Sequence, residues 1–177
     1  MKTGELIETI NSLNNAIFKF AKLIICAIIK NRLNDSRKII TVKSEKEICG
    51  SNGFYMIFSD NKEFPKNKCI VKHNKTKYHC VYRGHSYNMR KRLISHLFYT
   101  PGARYDNCMK ITVENGEYNI NLDQRELYLN GKKGRKTFPK GNWIVVTIPL
   151  GKSKQGLREM FERAFDEEYG KPAFSKK

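Results

Sequence analysis

The stretch Val81–Phe98, VYRGHSYNMRKRLISHLF, reads as a strand running into a helix. Tyr82 ends the strand, Gly84 lets the backbone turn sharply, and Ser86 is well placed to start or cap the helix. Arg92 and His96 lie four residues apart, so they share one helical face. The junction can therefore aim a phenol, a guanidinium and an imidazole into one concavity. Arginine grips two phosphate oxygens in a fork, and imidazole moves a proton near neutral pH. Those are parts needed to cut a phosphodiester. The bland alternative is a solvated helix whose charges meet nothing. A second set, Cys69, His73, His79 and Cys80, has poor zinc spacing at its adjacent His79-Cys80 end and reads as strand and loop residues.

Elements must hold these groups. Leu6, Ile10, Leu13, Ile17, Phe20, Ile24 and Ile28 recur every three or four positions and describe one face of an N-terminal helix, suited to core packing or a dimer contact. The apolar run 16–29 is too short to span a bilayer and is interrupted by Lys19 and Lys22. RKIITVKSEKEI includes a short strand, GFYMIF (53–58) is another, and CIVKH and YHCVYRG are two more joined by NKTK. The helix after Ser86 turns Met89, Leu93, Ile94 and Leu97 inward. MKITVENGEYNINL predicts a hairpin with a turn at Asn115-Gly116. WIVVTIPL predicts a buried strand, and KQGLREMFERAFDEEYG a final amphipathic helix ended by Gly170 and Pro172. The mixture predicts an α/β or α+β chain, with a small, mainly antiparallel sheet flanked by helices.

The 177 residues carry a net charge of +17 and a pI near 9.7, which points to a polyanion partner, nucleic acid ahead of a membrane surface. Five scattered cysteines, without a CxxC pair, suit reduced thiols in the cytoplasm.

GFY at 53–55, YRG at 82–84, Ser86, Arg92 and His96 resemble the GIY-YIG nuclease family in order and in every spacing after Tyr82. FERAFDEEYGKPAFS is similar to that family's later helix, with Glu162 in the place of its glutamate and Pro172 in the place of its proline. Phe54 and Arg83 replace the two isoleucines, Ser175 replaces a tail asparagine, and the spacer between Tyr55 and Tyr82 is longer than the family's. Arg83 is expected to point outward, toward DNA. The resemblance implies a three-stranded GIY-YIG sheet within residues 49–177, with insertions at about 59–76 and 99–142, preceded by a helical extension over 1–48.

It also implies roles. Tyr55 is the general base, made acidic by Arg92 and His85, and Tyr82 its partner or a phosphate ligand. Arg92 steadies the phosphate, His96 orients or relays a proton, and Glu162 (Glu159 being the alternative) holds one Mg²⁺ or Mn²⁺. A lone carboxylate suits magnesium, which keeps much of its water. No organic cofactor and no membrane enter. Arg83, His85, Ser86, Arg90, Lys91, Arg104, Lys132, Lys133, Arg135 and Lys136 are the expected DNA contacts, with Asn107, Asn115 and Arg125 as further candidates for base edges. The elaborated core fits a type II restriction endonuclease acting on double-stranded DNA as a homodimer. Runners-up are a repair or mobile-element nuclease and a non-catalytic nucleic-acid-binding module.

Overall fold

The computed structural model describes residues 3–30, 37–40, 48–62, 64–97, 110–113, 116–119, 128–129, 132–133 and 141–175; for 37–40 and for the strands between 110 and 133 it describes the backbone alone. The elements in chain order are helix α1 (Thr3–Ile29), strands β1 (Arg37–Ile40), β2 (Gly53–Ser59), β3 (Ile70–His73) and β4 (Thr76–Ser86), helix α2 (Met89–Leu97), strands β5 (Lys110–Val113), β6 (Gly116–Asn119), β7 (Tyr128–Leu129), β8 (Lys132–Lys133) and β9 (Trp143–Pro149), and helix α3 (Gln155–Tyr169). The architecture is α+β.

The main sheet has five strands, in the order β1-β9-β2-β4-β3, all neighbours antiparallel. It is wider than the three strands expected, because β1 adds to β9 and β3 to β4. The β3–β4 turn is Asn74-Lys75, both at positive φ, the conformation a two-residue hairpin needs. Strands β5 and β6 form the expected antiparallel pair, but Gly116, expected in the turn with Asn115, is the first residue of β6 and lies opposite Val113. Residues 114–115 lie outside the described residues. β7 and β8 extend this hairpin to a second, four-stranded sheet.

β2 is buried along its whole length, so its two faces feed two cores. Phe54, Met56 and Phe58 join Ile144, Val146 and Ile148 of β9 under α1 and α3, whose Ala21, Ile25, Ile28, Phe161 and Phe165 close that layer. Tyr55 and Ile57 join Val81, Trp143 and Val145 under α2, through Met89, Leu93 and Leu97. The result is three layers, with α2 on one face of the sheet and α1 and α3 on the other. Each buried large apolar side chain contributes about 1.5–3 kcal/mol. Cys69 and Cys80 are part of the α3-side core, where the Cys80 amide donates to the Cys69 carbonyl at 3.0 Å.

Helix starts and stops follow local chemistry. Asn88 caps α2: its Oδ1 accepts from the Lys91 amide at 2.9 Å. Ser86, expected in that role, sits two residues too early. Its Oγ accepts from the Asn88 amide at 3.1 Å and shapes the turn into the cap. Gly170, at φ 76°, ends α3, its amide bonding the Asp166 carbonyl.

Gly53 is where β2, β9 and α2 meet. A Cβ there would collide with the Ile148 carbonyl oxygen and lie 2.7 Å from Met89 Sδ. Gly53→Ala is therefore expected to destabilise the chain by about 1–3 kcal/mol, the cost of overpacking a tight core. Gly50→Ala, with no atom within 4 Å of its Cβ, serves as the control. Urea unfolding of both variants checks this, and equal effects would contradict it.

Candidate active site

The cavity forms where β4 outruns its neighbour. β3 pairs with Thr76–His79 and stops there. The tail beyond α3 covers the next few residues. The Phe174 amide donates to the Val81 carbonyl at 3.2 Å, and Ser175 Oγ accepts from the Arg83 amide at 3.0 Å. Side chains from both faces of β4 converge near the remaining edge, on a cavity of about 200 Å³ lined by Tyr55, Tyr82, Arg83, Gly84, His85, Arg92 and Glu162.

Two backbone features make that convergence possible. The β2–β4 register slips between Ile57, opposite Tyr82, and Phe58, opposite Cys80. The extra residue, Val81, is a bulge, and it reverses the alternation of β4. Cys80 belongs to the α3-side core, whereas Val81 and Tyr82 pack with the α2-side core. Tyr82 thereby joins Tyr55, with ring centroids 6.1 Å apart in a stacked arrangement. The second feature is Gly84, opposite Tyr55 in the ladder. A Cβ there would sit 2.7 Å from the Tyr55 hydroxyl and 3.1 Å from Cε1 of Tyr82. The glycine leaves room for the two phenols.

Helix α2 supplies Arg92 and His96 from one face. His96 Nε2 lies 3.1 Å from the Tyr55 hydroxyl, and its ring centroid is 5.1 Å from that of Tyr82. Arg92 is exposed and reaches the cavity mouth. Tyr55 is 1% exposed. Burial drives its pKa well above the usual phenol value, against the opposing pull of Arg92. Burial raises Tyr82 too, again opposed by Arg92. The expectation that cations make Tyr55 acidic is therefore corrected: desolvation outweighs Arg92, and both tyrosines stay protonated near neutral pH.

The other wall comes from α3. Arg83 was expected to point outward, but it is turned in and 9% exposed. Its Nε and Nη2 bond both oxygens of Asp166, at 2.9 and 2.5 Å, and its Nη1 lies 3.0 Å from Glu162 Oε2. The bulge places it on the α3 face, where a buried guanidinium needs partners. Asp166 was missed by sequence reasoning. The available signal was its position one turn after Glu162, on the same helical face, together with a charged residue in an isoleucine's place on the strand. Glu159 is exposed and bonded by Gln155 at 2.7 Å.

Glu162 is half-buried, and desolvation raises its pKa while Arg83 pulls it down. Its Oε1 lies 3.7 Å from His85 Nδ1, a buried nitrogen without a hydrogen-bond partner among the described residues. Burial, then Arg158, hold His85 below the usual histidine range, so the contact is not an ion pair. The Glu162 carboxylate is a hard oxygen donor of the kind that holds a divalent cation which keeps most of its waters. Arg158, also missed, is fully buried; it donates to the Ser153 carbonyl, and its guanidinium carbon lies 3.9 Å above the Tyr87 ring.

Ser86 lies beside the cavity with its hydroxyl engaged in the turn, while Arg90 is half-buried and Lys91 exposed on α2. Lys132 and Lys133 lie on β8, with side chains outside the description. Arg104, Arg135, Lys136, Asn107, Asn115 and Arg125 lie outside the described residues. Comparisons of the chain with models of known families, with curated proteins and with solved structures find no match in any of the three.

The lowered His85 pKa fixes a sign. A neutral buried histidine contributes stability that is fully present above the unfolded pKa of about 6.5 and is lost as pH falls through the folded value. His85→Gln is expected to lose less stability than the parent between neutral pH and pH 5. Urea midpoints at the two pH values measure it, and parallel losses would refute the assignment.

Proposed function

We propose that this chain is a metal-dependent endonuclease of the GIY-YIG type that cuts double-stranded DNA as a type II restriction enzyme. The observation that carries the reading is the convergence of Tyr55, Tyr82, Arg92 and Glu162 on one cavity, with His96 behind Tyr55. These residues come from two strands and two helices spread over more than a hundred positions. Tyr55, Tyr82 and His96 alone would make an aromatic core; a guanidinium at the mouth and a carboxylate opposite suit a phosphate and a cation.

In this reading Arg92 binds two oxygens of the scissile phosphate and offsets the charge that builds in the transition state. Glu162 would hold Mg²⁺, which when bound polarises the phosphate and stabilises the leaving oxygen. Tyr55 acts as a relay rather than as a phenolate. It accepts a proton from the attacking water while donating its own to His96 Nε2, so the buried oxygen never carries a full negative charge. Tyr82, stacked on Tyr55 and close to Arg92, orients the phosphate. Arg83 and Asp166 are positioning residues. Asp166 takes two of the three contacts made by Arg83, which leaves Glu162 more of its charge for a cation.

The +17 charge suits a duplex, with Arg90 and Lys91 on α2 and the lysines of β8 as phosphate contacts. Cutting both strands would then call for two copies of the chain, each with one cavity.

Plasmid DNA incubated with Mg²⁺ tests the reading. Discrete fragments that EDTA abolishes are expected, and Arg92→Ala should slow their appearance by about 10²–10³-fold. Glu162→Ala should lose the response to metal, and His96→Ala should flatten the dependence of rate on pH. A smear instead of fragments would favour a nonspecific nuclease. DNA that is shifted but uncut in every lane would replace the enzyme with a binding module.

A second outcome concerns the pair of carboxylates. Asp166→Asn should leave Arg83 bound mainly to Glu162 and raise the Mg²⁺ concentration needed for half-maximal cleavage by about tenfold, a change of about 1.4 kcal/mol. DNA affinity measured in EDTA should stay unchanged. An unaltered Mg²⁺ requirement would remove Asp166 from this role.

A further inference from the structure

Helix α1 spans 27 residues, but it meets the rest of the described chain along its C-terminal half. There Ala21, Ile25, Ile28 and Ile29 enter the core beneath α3, and Lys22 pairs with Glu167 and Glu168 at 3.0 and 3.1 Å. Residues 3–16 are exposed throughout. On this overhang and its continuation lies a stripe of large apolar side chains that faces solvent. Leu6, Ile10, Leu13 and Phe20 are 43–60% exposed, and Leu23 beside them is 69% exposed.

The spacing of that stripe is more specific than amphipathicity. Leu6, Ile10, Leu13, Ile17, Phe20 and Ile24 follow one another at intervals of four, three, four, three and four. That is a coiled-coil seam. Isoleucine occupies all three a positions (10, 17 and 24), and leucine, leucine and phenylalanine the d positions (6, 13 and 20). β-Branched residues at a with leucine at d favour two parallel strands over three or four. Thr9, Asn14 and Ala16, which flank the seam, are uncharged, so no like-charge contact opposes an in-register pair.

The four exposed seam positions, Leu6, Ile10, Leu13 and Phe20, show about half of a roughly 200 Å² residue surface each, so the stripe exposes on the order of 400 Å² of apolar surface. With polar flanks that is about half of the roughly 800 Å² per partner of a standard interface, the size of a patch that is often functional on a monomer. The helix is also long and apolar enough to cross a membrane. Two features disfavour that occupant: its last turns are committed to the core under α3, and Glu8, Ser12, Asn15 and Lys19 line the opposite, polar side. A spanning helix is apolar all round.

We propose that α1 is a dimerisation helix whose Leu6–Phe20 seam pairs, parallel and in register, with the same helix of a second copy of this chain. The proposal does not depend on the nuclease reading, and its measurements contain no DNA.

Sedimentation equilibrium of the full chain should give twice the 20.7 kDa monomer mass at micromolar concentration. Leu13→Glu, in the exposed overhang, should raise the dissociation constant at least about tenfold by placing a charge in the seam, while leaving circular dichroism and the unfolding midpoint of the monomer unchanged. Leu13→Cys should cross-link to itself under mild oxidation, and Asn15→Cys, on the outer side, should not do so above the background of the native cysteines. Three results would overturn the proposal: a chain still monomeric at tens of micromolar, a dimer indifferent to Leu13→Glu, or loss of the stripe to neutral or anionic lipid vesicles in place of self-association.

Discussion

Between Ile57 and Phe58 the pairing of β2 with β4 slips by one residue, and the cavity depends on that slip. In an unbroken ladder Tyr82 would share the face of Cys80, beneath α3, and Arg83 would face α2. The bulge exchanges them. Tyr82 comes onto the face of Tyr55 and His96, and Arg83 comes onto the face of Glu162 and Asp166. One inserted residue thus sorts the aromatic rings, the two phenols and the imidazole, to one wall and the charged groups to the other. Gly84 then keeps the two phenols close without a side chain between them.

Each wall is held by a different kind of force. The aromatic wall is fixed by packing: Tyr55 is buried, and Met89, Leu93 and Leu97 press α2, and with it His96, onto the sheet. The charged wall is fixed by electrostatics. A half-buried Glu162 is unfavourable as an anion, and Arg83 offsets this while Asp166 shares the arginine. Such a balance leaves the carboxylate responsive to another cation in a way that a fully neutralised pair would not be.

Much of this was legible in the chain because the informative residues sit on periodic elements. The strand β2, the helix α2 with Arg92 and His96 on one face, and the ends of α3 at Gly170 all follow from spacing and turn chemistry. The bulge was not legible, because nothing in VYRG marks which residue will be left unpaired. Arg83 was accordingly assigned the wrong direction, and its partner Asp166 was invisible until the direction was known. The strands β1 and β3 were legible as strands, but not their places: the resemblance implied three strands, and the pairing of β1 with β9 and of β3 with β4 is a long-range or hairpin choice that a strand's own residues do not state. The raised pKa of Tyr55 likewise reflects enclosure by residues distant in sequence, which outweighs a nearby arginine.

The contact between Ser175 and Arg83 has a consequence beyond anchoring the chain after α3. An antiparallel sheet that stops at a free strand offers a template for a stranger's backbone. β3 shields the first part of β4, and Phe174 and Ser175 occupy the next, so among the described residues the uncovered edge of β4 itself is reduced to the short run from Gly84 to Ser86, while the outer edges of the sheet pass to β1 and β3. Gly84 and His85 of that run line the cavity, so the part of β4 left without a backbone neighbour is the part beside the site.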